Sequence, residues 1–189
     1  LGLLSGSQPN DEEADRVAAG IIDDVRRNGD AAVNRISGEL DGEPLDFLEV
    51  PRTDIDAALG TIPTETREAL ETAVERVRTF QSAAMPKSWH DDERHYGELV
   101  TPVKRVGAYV PGGTAPLAST VIMTVVPARV AGVDEVYLTT PAAGDALPHP
   151  AVLASAAISG ADRVFKVGGA QAIAAFAYGT ETVPAVDLI

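Results

Sequence analysis

Hydrophobic residues recur at helical spacing in the first half of the chain and form short continuous runs in the second half. In residues 11–28 one apolar stripe follows an acidic first turn, and Gly29 comes next, which predicts a helix that ends there. Asp30 is expected to cap a second helix that reaches a turn at 41–42. The clearest helical pattern covers 64–84, where apolar residues return every three or four positions.

Shorter and less regular segments lie between these helices. Residues 45–50 are consistent with a short strand, and 53–59 with a small helix. Residues 88–98 are polar and predict a solvated loop. The apolar run at 99–103 predicts a strand, and Pro102 places that strand at the edge of a sheet.

After Arg105 the pattern changes to alternating strands and helices, and we place a domain boundary there. The predicted elements are strands at 106–110, 135–139, 163–167 and from about 186, and helices at 119–130, 150–159 and 170–178. The strands begin about 20 to 30 residues apart, which is the length of a βαβ unit. Apolar strands separated by helices predict an α/β fold with a parallel sheet covered on both faces. Because the fourth strand only begins before Ile189, we expect the sequence to be a fragment.

Two glycine turns directly follow predicted strands, at 111–113 and 168–169. In a doubly wound sheet, ligands bind at the carboxyl ends of the strands, so both turns would border one crevice. The G-x-G-x-x-G fingerprint of dinucleotide-binding proteins is absent. The pattern therefore leaves two interpretations open, a cofactor crevice and a pair of simple tight turns.

Two side chains beside these turns are candidates for binding a cofactor. The ring of Tyr109 could stack on a nicotinamide or adenine while its hydroxyl bonds a ribose or phosphate, although an ordinary core or rim tyrosine is an alternative. Gln171 opens the following helix, and its amide can donate and accept hydrogen bonds. The alternative for Gln171 is a first-turn residue that faces solvent. Glu181, after the same helix, could orient the backbone at a helix end.

Composition and charge exclude several other classes of function. The formal net charge of the 189 residues is −13 and no Lys/Arg cluster is present, which argues against nucleic-acid binding. The absence of cysteine excludes disulfides, cysteine zinc sites and a cysteine nucleophile from this chain. His90 and His95 lie in an acidic stretch without a common metal-ligand spacing. Residues 106–128 are uncharged but interrupted by proline and glycine, so we expect a cytoplasmic protein without a membrane span.

Longer motifs in the chain resemble the histidinol dehydrogenase family. The resemblance is carried by VGAYVPGGTAPLAS and VFKVGGAQAIAAFAYGTETVPAVD, and by the helical stretches IIDDVRRNGDAAVNRISGELDG and TREALETAVERVRTFQ. It implies an NAD- and zinc-dependent homodimer that oxidises L-histidinol through an aldehyde to L-histidine. It also implies that 1–105 is the helical part of a first domain and that 106–189 is an incomplete Rossmann-like domain that binds the cofactor.

The resemblance further implies which residues contact the cofactor. The tyrosine of the family's Y-V-P-G-G motif, which contacts NAD, falls on Tyr109, and the glutamine of its G-G-A-Q motif falls on Gln171. The family's glutamate–histidine acid/base pair and its zinc ligands come later in the polypeptide, so we expect no catalytic or metal-binding residue in 1–189. The isolated chain is therefore expected to be inactive. The alternative is a truncated, non-catalytic paralogue that serves as a binding or assembly module.

Overall fold

A computed structural model describes residues 11–41, 44–112, 115–142 and 146–189. Gly42 of the turn predicted at 41–42 and Gly113 of the first glycine turn lie outside the described residues. The helices are α1 (Asp11–Asp41), α2 (Arg52–Thr61), α3 (Thr64–Ala84), α4 (Ala118–Val130), α5 (Pro150–Ser159) and α6 (Gly169–Tyr178). The strands are β1 (Trp89–Asp91), β2 (Tyr96–Glu98), β3 (Arg105–Tyr109), β4 (Glu135–Thr139) and β5 (Arg163–Phe165).

The central sheet is parallel, with β4 between β3 and β5. Single bridges extend it on both sides, because Leu188 pairs parallel to Val106 and Glu49 pairs antiparallel to Phe165. Only these bridges are formed where the sequence predicts strands at 45–50 and from about 186. In chain order the four parallel segments lie 4-1-2-3 across the sheet, which is the order of the first four strands of a doubly wound fold. The prediction of an α/β fold with a Rossmann-like parallel sheet is thus confirmed.

Alternate residues of the strands enter two separate hydrophobic cores. On one face Ala108, Leu138 and Val164 pack with buried residues of α2, α4 and α5. On the other face Tyr137 and Phe165 pack with α1 and α6. Helices therefore cover both faces of the sheet, as the uninterrupted apolar strands predict.

Helix α1 breaks at Gly29, where the sequence predicts a helix end. Gly29 has φ 54° and ψ −135°, which separates two helical arms. The prediction that Asp30 caps the second helix is wrong, because the Asp30 carboxylate accepts hydrogen bonds from the N–H and hydroxyl of Thr182 instead. The N–H of Asp30 instead donates to Glu181 Oε2 at 2.8 Å. Glu181 thus orients the backbone at a helix end, as predicted.

The segment before β3 differs from its prediction. The expected loop at 88–98 contains an antiparallel hairpin, β1–β2, in which the rings of Trp89 and Tyr96 meet edge to face. The strand predicted at 99–103 is absent from the structure, and Val100 N–H donates to the Ser88 hydroxyl instead. Pro102 has no N–H to contribute to a ladder. The start of α2 also differs, since Pro51 precedes its first turn and no side chain caps it.

Candidate cofactor site

The carboxyl ends of β3, β4 and β5 meet at one edge of the sheet, and both glycine turns leave from it. Pro141, which follows β4, lies between these turns. A Cβ built on Gly112 would overlap Pro141 Cγ, and one on Gly168 would lie 2.7 Å from Pro141 Cβ. Only glycine permits this packing, so part of the glycine pattern is explained by close contact between the three strand ends.

Backbone and side-chain hydrogen bonds continue the pairing beyond the ends of the strands. The N–H of Val110 donates to Thr139 O at 2.8 Å. The buried hydroxyl of Thr139 donates to Val167 O at 2.6 Å. The N–H of Thr140 donates to Phe165 O at 3.0 Å. The backbone that carries the two turns is thereby fixed on either side of β4.

Tyr109, the last residue of β3, contacts the turn after β5. Its hydroxyl accepts the N–H of Gly169 at 3.2 Å, and its ring is half-buried against the core beneath α6. Gly169 has φ +62°, a conformation that glycine adopts without strain. The structure thus brings the two predicted turns together through a tyrosine that the sequence predicts as a cofactor ligand.

Gln171 lies in the first turn of α6 and is only 1% exposed, so the alternative of a solvent-facing residue is wrong. Its Nε2 is 3.5 Å from the hydroxyl of Ser37 on α1. Its Oε1 has no hydrogen-bond partner among the described residues. A Cβ on Gly169 would overlap this oxygen. Tyr109 and Gln171 therefore both touch Gly169, one through its N–H and the other beside its Cα.

Two further buried polar side chains lie at this end of the fold and are not predicted from the sequence. Ser37 is 1% exposed and contacts Gln171. Lys166 is fully buried, with its Nζ 3.7 Å from the centroid of the Phe47 ring and 3.4 Å from Ala146 O. The available signals are a serine on the inward face of α1 and a lysine within the apolar run VFKV.

Two of the three histidines have hydrogen-bond partners within their own segments. His90 Nδ1 lies 2.9 Å from Asp92 Oδ1 on the β1–β2 hairpin, and His149 Nδ1 accepts the N–H of Ala151 at the start of α5. Within the described residues, no three His, Cys, Asp or Glu side chains come together as a metal site. Among the helices that the structure describes, none has the length and apolarity required to cross a membrane.

The clearest electrostatic perturbation lies at the opposite, amino end of the sheet. The Tyr137 hydroxyl donates to Glu135, and Arg105 Nε lies 3.0 Å from the same carboxylate. Both contacts lower the pKa of Glu135. Burial, and then the bond to Glu135, raises the pKa of Tyr137. This cluster links β3 to β4 and is separated from the glycine turns by the length of the strands.

Comparison with known proteins agrees with the motifs at this site. The family model described as histidinol dehydrogenase matches residues 5–189. The histidinol dehydrogenase of Bordetella parapertussis is 46% identical over 193 residues, covering 99% of this chain and 44% of that protein. The Methanosarcina mazei histidinol dehydrogenase is 44% identical over 191 residues with the same two coverages.

A solved structure shows the same similarity. The crystal structure of histidinol dehydrogenase from Elizabethkingia anophelis superimposes with a TM-score of 0.86 at 28% identity, covering 92% of this chain and 41% of that one. The chain thus spans about 44% of the length of the curated relatives it matches. The long family match and these identities lead to one conclusion: the chain belongs to the histidinol dehydrogenase family.

Proposed function

We propose that this chain is the N-terminal portion of an NAD- and zinc-dependent enzyme that oxidises L-histidinol through an aldehyde to L-histidine. We place that enzyme in the cytoplasm as a homodimer. Residues 1–105 would form the helical part of its first domain, and 106–189 its partial Rossmann-like cofactor domain. The observation that carries the proposal is the convergence of Tyr109 and Gln171 on Gly169, at the edge where doubly wound sheets bind ligands.

The residues at this edge fit a dinucleotide. Gln171 Oε1 is buried without a partner among the described residues, and a buried acceptor of this kind is costly unless a ligand donates to it. Tyr109 accepts the N–H of Gly169, which leaves its own O–H able to donate to a ribose or phosphate oxygen. Because Gln171 is only 1% exposed, contact with the cofactor requires the turn at 166–171 to shift.

Each of these residues has a binding role in the proposed reaction. When bound, NAD supplies the hydride acceptor, and the protein orients it. Tyr109 would hold one polar group of the cofactor, and Gln171 would accept a hydrogen bond from another. The described residues do not fit zinc, since they form no cluster of three possible ligands. We assign the zinc ligands and the acid/base pair to polypeptide beyond residue 189.

The test is Gln171→Ala in the full-length protein that contains this chain. Loss of one hydrogen bond is expected to raise the Kd and KM for NAD by about tenfold, with little change in the KM for L-histidinol. Gln81→Ala on α3 is the matched control, because it makes the same change on a helix away from the glycine turns. Equal NAD affinity in the two variants would remove Gln171 from the cofactor site.

A second experiment addresses the part of the reaction that this chain lacks. Purified 1–189, supplied with L-histidinol, NAD and zinc, is expected to produce no NADH. Steady NADH formation by this chain alone would contradict the assignment of all catalytic residues to positions beyond Ile189.

A further inference from the structure

We propose that Ser37 is a positioning residue for the cofactor, acting through the side-chain amide of Gln171. The inference rests on the proposed NAD contact of Gln171 and adds a residue from the first helix to that site. Ser37 lies on the second arm of α1, 134 residues from Gln171 in sequence. Its hydroxyl takes part in one described hydrogen bond, the one with Gln171 Nε2.

The surroundings of this pair make it unusual. Ser37 and Gln171 are each 1% exposed, and they face each other across the interface of α1 and α6. Their neighbours in that interface are apolar, among them Val33, Ala172 and Ala175. A buried polar pair costs free energy unless its groups are bonded, so packing alone would favour apolar residues here.

The geometry indicates what the pair accomplishes. A carboxamide is planar and carries its donor and its acceptor on opposite sides. When Nε2 is held by the Ser37 hydroxyl, Oε1 points away from α1 and lies beside Gly169. The N–H of Gly169 also donates a hydrogen bond to the Tyr109 hydroxyl. Ser37 therefore anchors the end of the Gln171 side chain beside the glycine turn.

Without Ser37 the Gln171 amide loses its one described hydrogen-bond partner and gains freedom to leave this position. A side chain that is already anchored loses less conformational freedom when the cofactor binds, which increases affinity. Ser37 touches no cofactor itself, and its effect is transmitted entirely through Gln171.

The test is a double-mutant cycle on NAD affinity in the full-length protein, with Ser37→Ala, Gln171→Ala and the double variant measured by calorimetry. Ser37→Ala is expected to raise the Kd for NAD about fivefold in the wild-type background and to have no effect when Gln171 is already alanine. The KM for NAD should follow the Kd while kcat changes little. Ser155→Ala is the matched control, since it removes a fully buried hydroxyl that bonds Ala151 O on the other face of the sheet.

The outcomes separate this inference from the proposed function. If Gln171→Ala weakens NAD binding but Ser37→Ala does no more than Ser155→Ala, Ser37 is a packing residue and only this inference fails. Additive effects of the two substitutions would overturn it as well. If Gln171→Ala leaves NAD affinity unchanged, the proposed contact fails and the inference fails with it. Should Ser37→Ala not fold, Ser37→Cys, whose thiol is a weaker hydrogen-bonding group, is expected to shift the Kd in the same direction.

Discussion

The hydroxyl of Tyr109 accepts the backbone N–H of Gly169 at 3.2 Å, and this bond joins the ends of two strands that are not neighbours. Tyr109 ends β3 and Gly169 begins α6 just after β5, while β4 runs between those strands. The phenol thus reaches past the end of β4 to the second glycine turn. A tyrosine is long enough to do this and still present a polar atom at the edge of the sheet.

Tyr109→Phe is expected to weaken NAD binding without unfolding the protein. The ring still packs against the core beneath α6, but the N–H of Gly169 loses its acceptor and the cofactor loses a hydroxyl. We expect the Kd for NAD to rise about three- to tenfold, with a stability loss of about 0.5–1 kcal/mol. Calorimetric titration and thermal unfolding measure the two effects. A Kd equal to that of the wild type would argue that Tyr109 only links the two turns.

Gly169→Ala is expected to disturb both the backbone and the buried amide. An L-residue at φ +62° costs about 1–2 kcal/mol, and the new Cβ would overlap Gln171 Oε1. The variant should therefore lose stability and NAD affinity together. Urea unfolding and NAD titration of the same preparation provide the measurement.

Gly20→Ala is the matched control for that substitution. Gly20 lies in the first arm of α1, and a Cβ there would meet no atom within 4 Å. Since alanine is the better helix former, this variant should gain up to about 1 kcal/mol and keep its NAD affinity. Stability changes of the same sign in Gly20→Ala and Gly169→Ala would contradict the role given to the turn.

Sequence patterns predict the bounds of an element correctly where residues within that element determine them. Helix α3 and strand β4 have their predicted bounds, because a long apolar stripe and a short, largely apolar run determine them within the segment. The β1–β2 hairpin has no such signal, since its three-residue strands are mostly exposed on both sides. Its edge-to-face pair of Trp89 and Tyr96 becomes visible only when the chain has turned.

The residues of the candidate site divide in the same way, into those with a local sequence signal and those whose contacts are distant in sequence. The sequence marks Tyr109 and Gln171 as candidates because Tyr109 ends a strand, Gln171 opens a helix and each borders a glycine turn, and because the motifs resemble those of a known family. The contact of Gln171 with Ser37 could not be predicted, because Ser37 is 134 residues away and its only signal, a serine on the inward face of α1, does not indicate which residue it meets. The cap predicted for Asp30 is wrong for a related reason, since Thr182, 152 residues later, competes for its carboxylate.

The Glu135 cluster predicts a specific dependence of stability on pH. The bonds from Tyr137 and Arg105 hold the pKa of Glu135 below its ordinary value of 4.5 in the folded state. The unfolded chain therefore binds the proton more readily, so this contribution is present above pH 4.5 and is lost as the pH falls through the lowered pKa. Glu135→Gln should make the decline of unfolding free energy below pH 4.5 shallower.

Tyr137→Phe is the companion variant in this series. It removes the first donor to Glu135, so the pKa of that carboxyl should return toward 4.5 and the acid profile should again become shallower. Chemical unfolding at a series of acidic pH values measures both profiles. Both variants should keep wild-type NAD affinity, because the cluster lies at the amino end of the strands. An unchanged acid profile in Glu135→Gln would show that these bonds contribute nothing to folding.

The break in α1 predicts an interaction between two substitutions that are far apart in sequence. Glu181 Oε2 accepts the N–H of Asp30, and a Cβ on Gly29 would overlap that carboxylate oxygen. Glu181→Ala should cost about 1 kcal/mol through loss of the hydrogen bond at the start of the second arm. Gly29→Ala should cost more, because the strain of φ +54° adds to the overlap with Glu181.

The double variant separates the backbone strain of Gly29→Ala from its overlap with Glu181. Without the Glu181 carboxylate the new Cβ of Gly29→Ala has space. In that background Gly29→Ala should therefore cost only the backbone strain of about 1–2 kcal/mol. In urea unfolding, the stability loss of the double variant should therefore be smaller than the sum of the two single losses. Amide exchange in the second arm should likewise increase by less than the sum of the increases in the two single variants. Strict additivity would mean that Gly29 is required by its backbone conformation alone. In that case the contact with Glu181 would be a consequence of the break in α1 and not one of its causes.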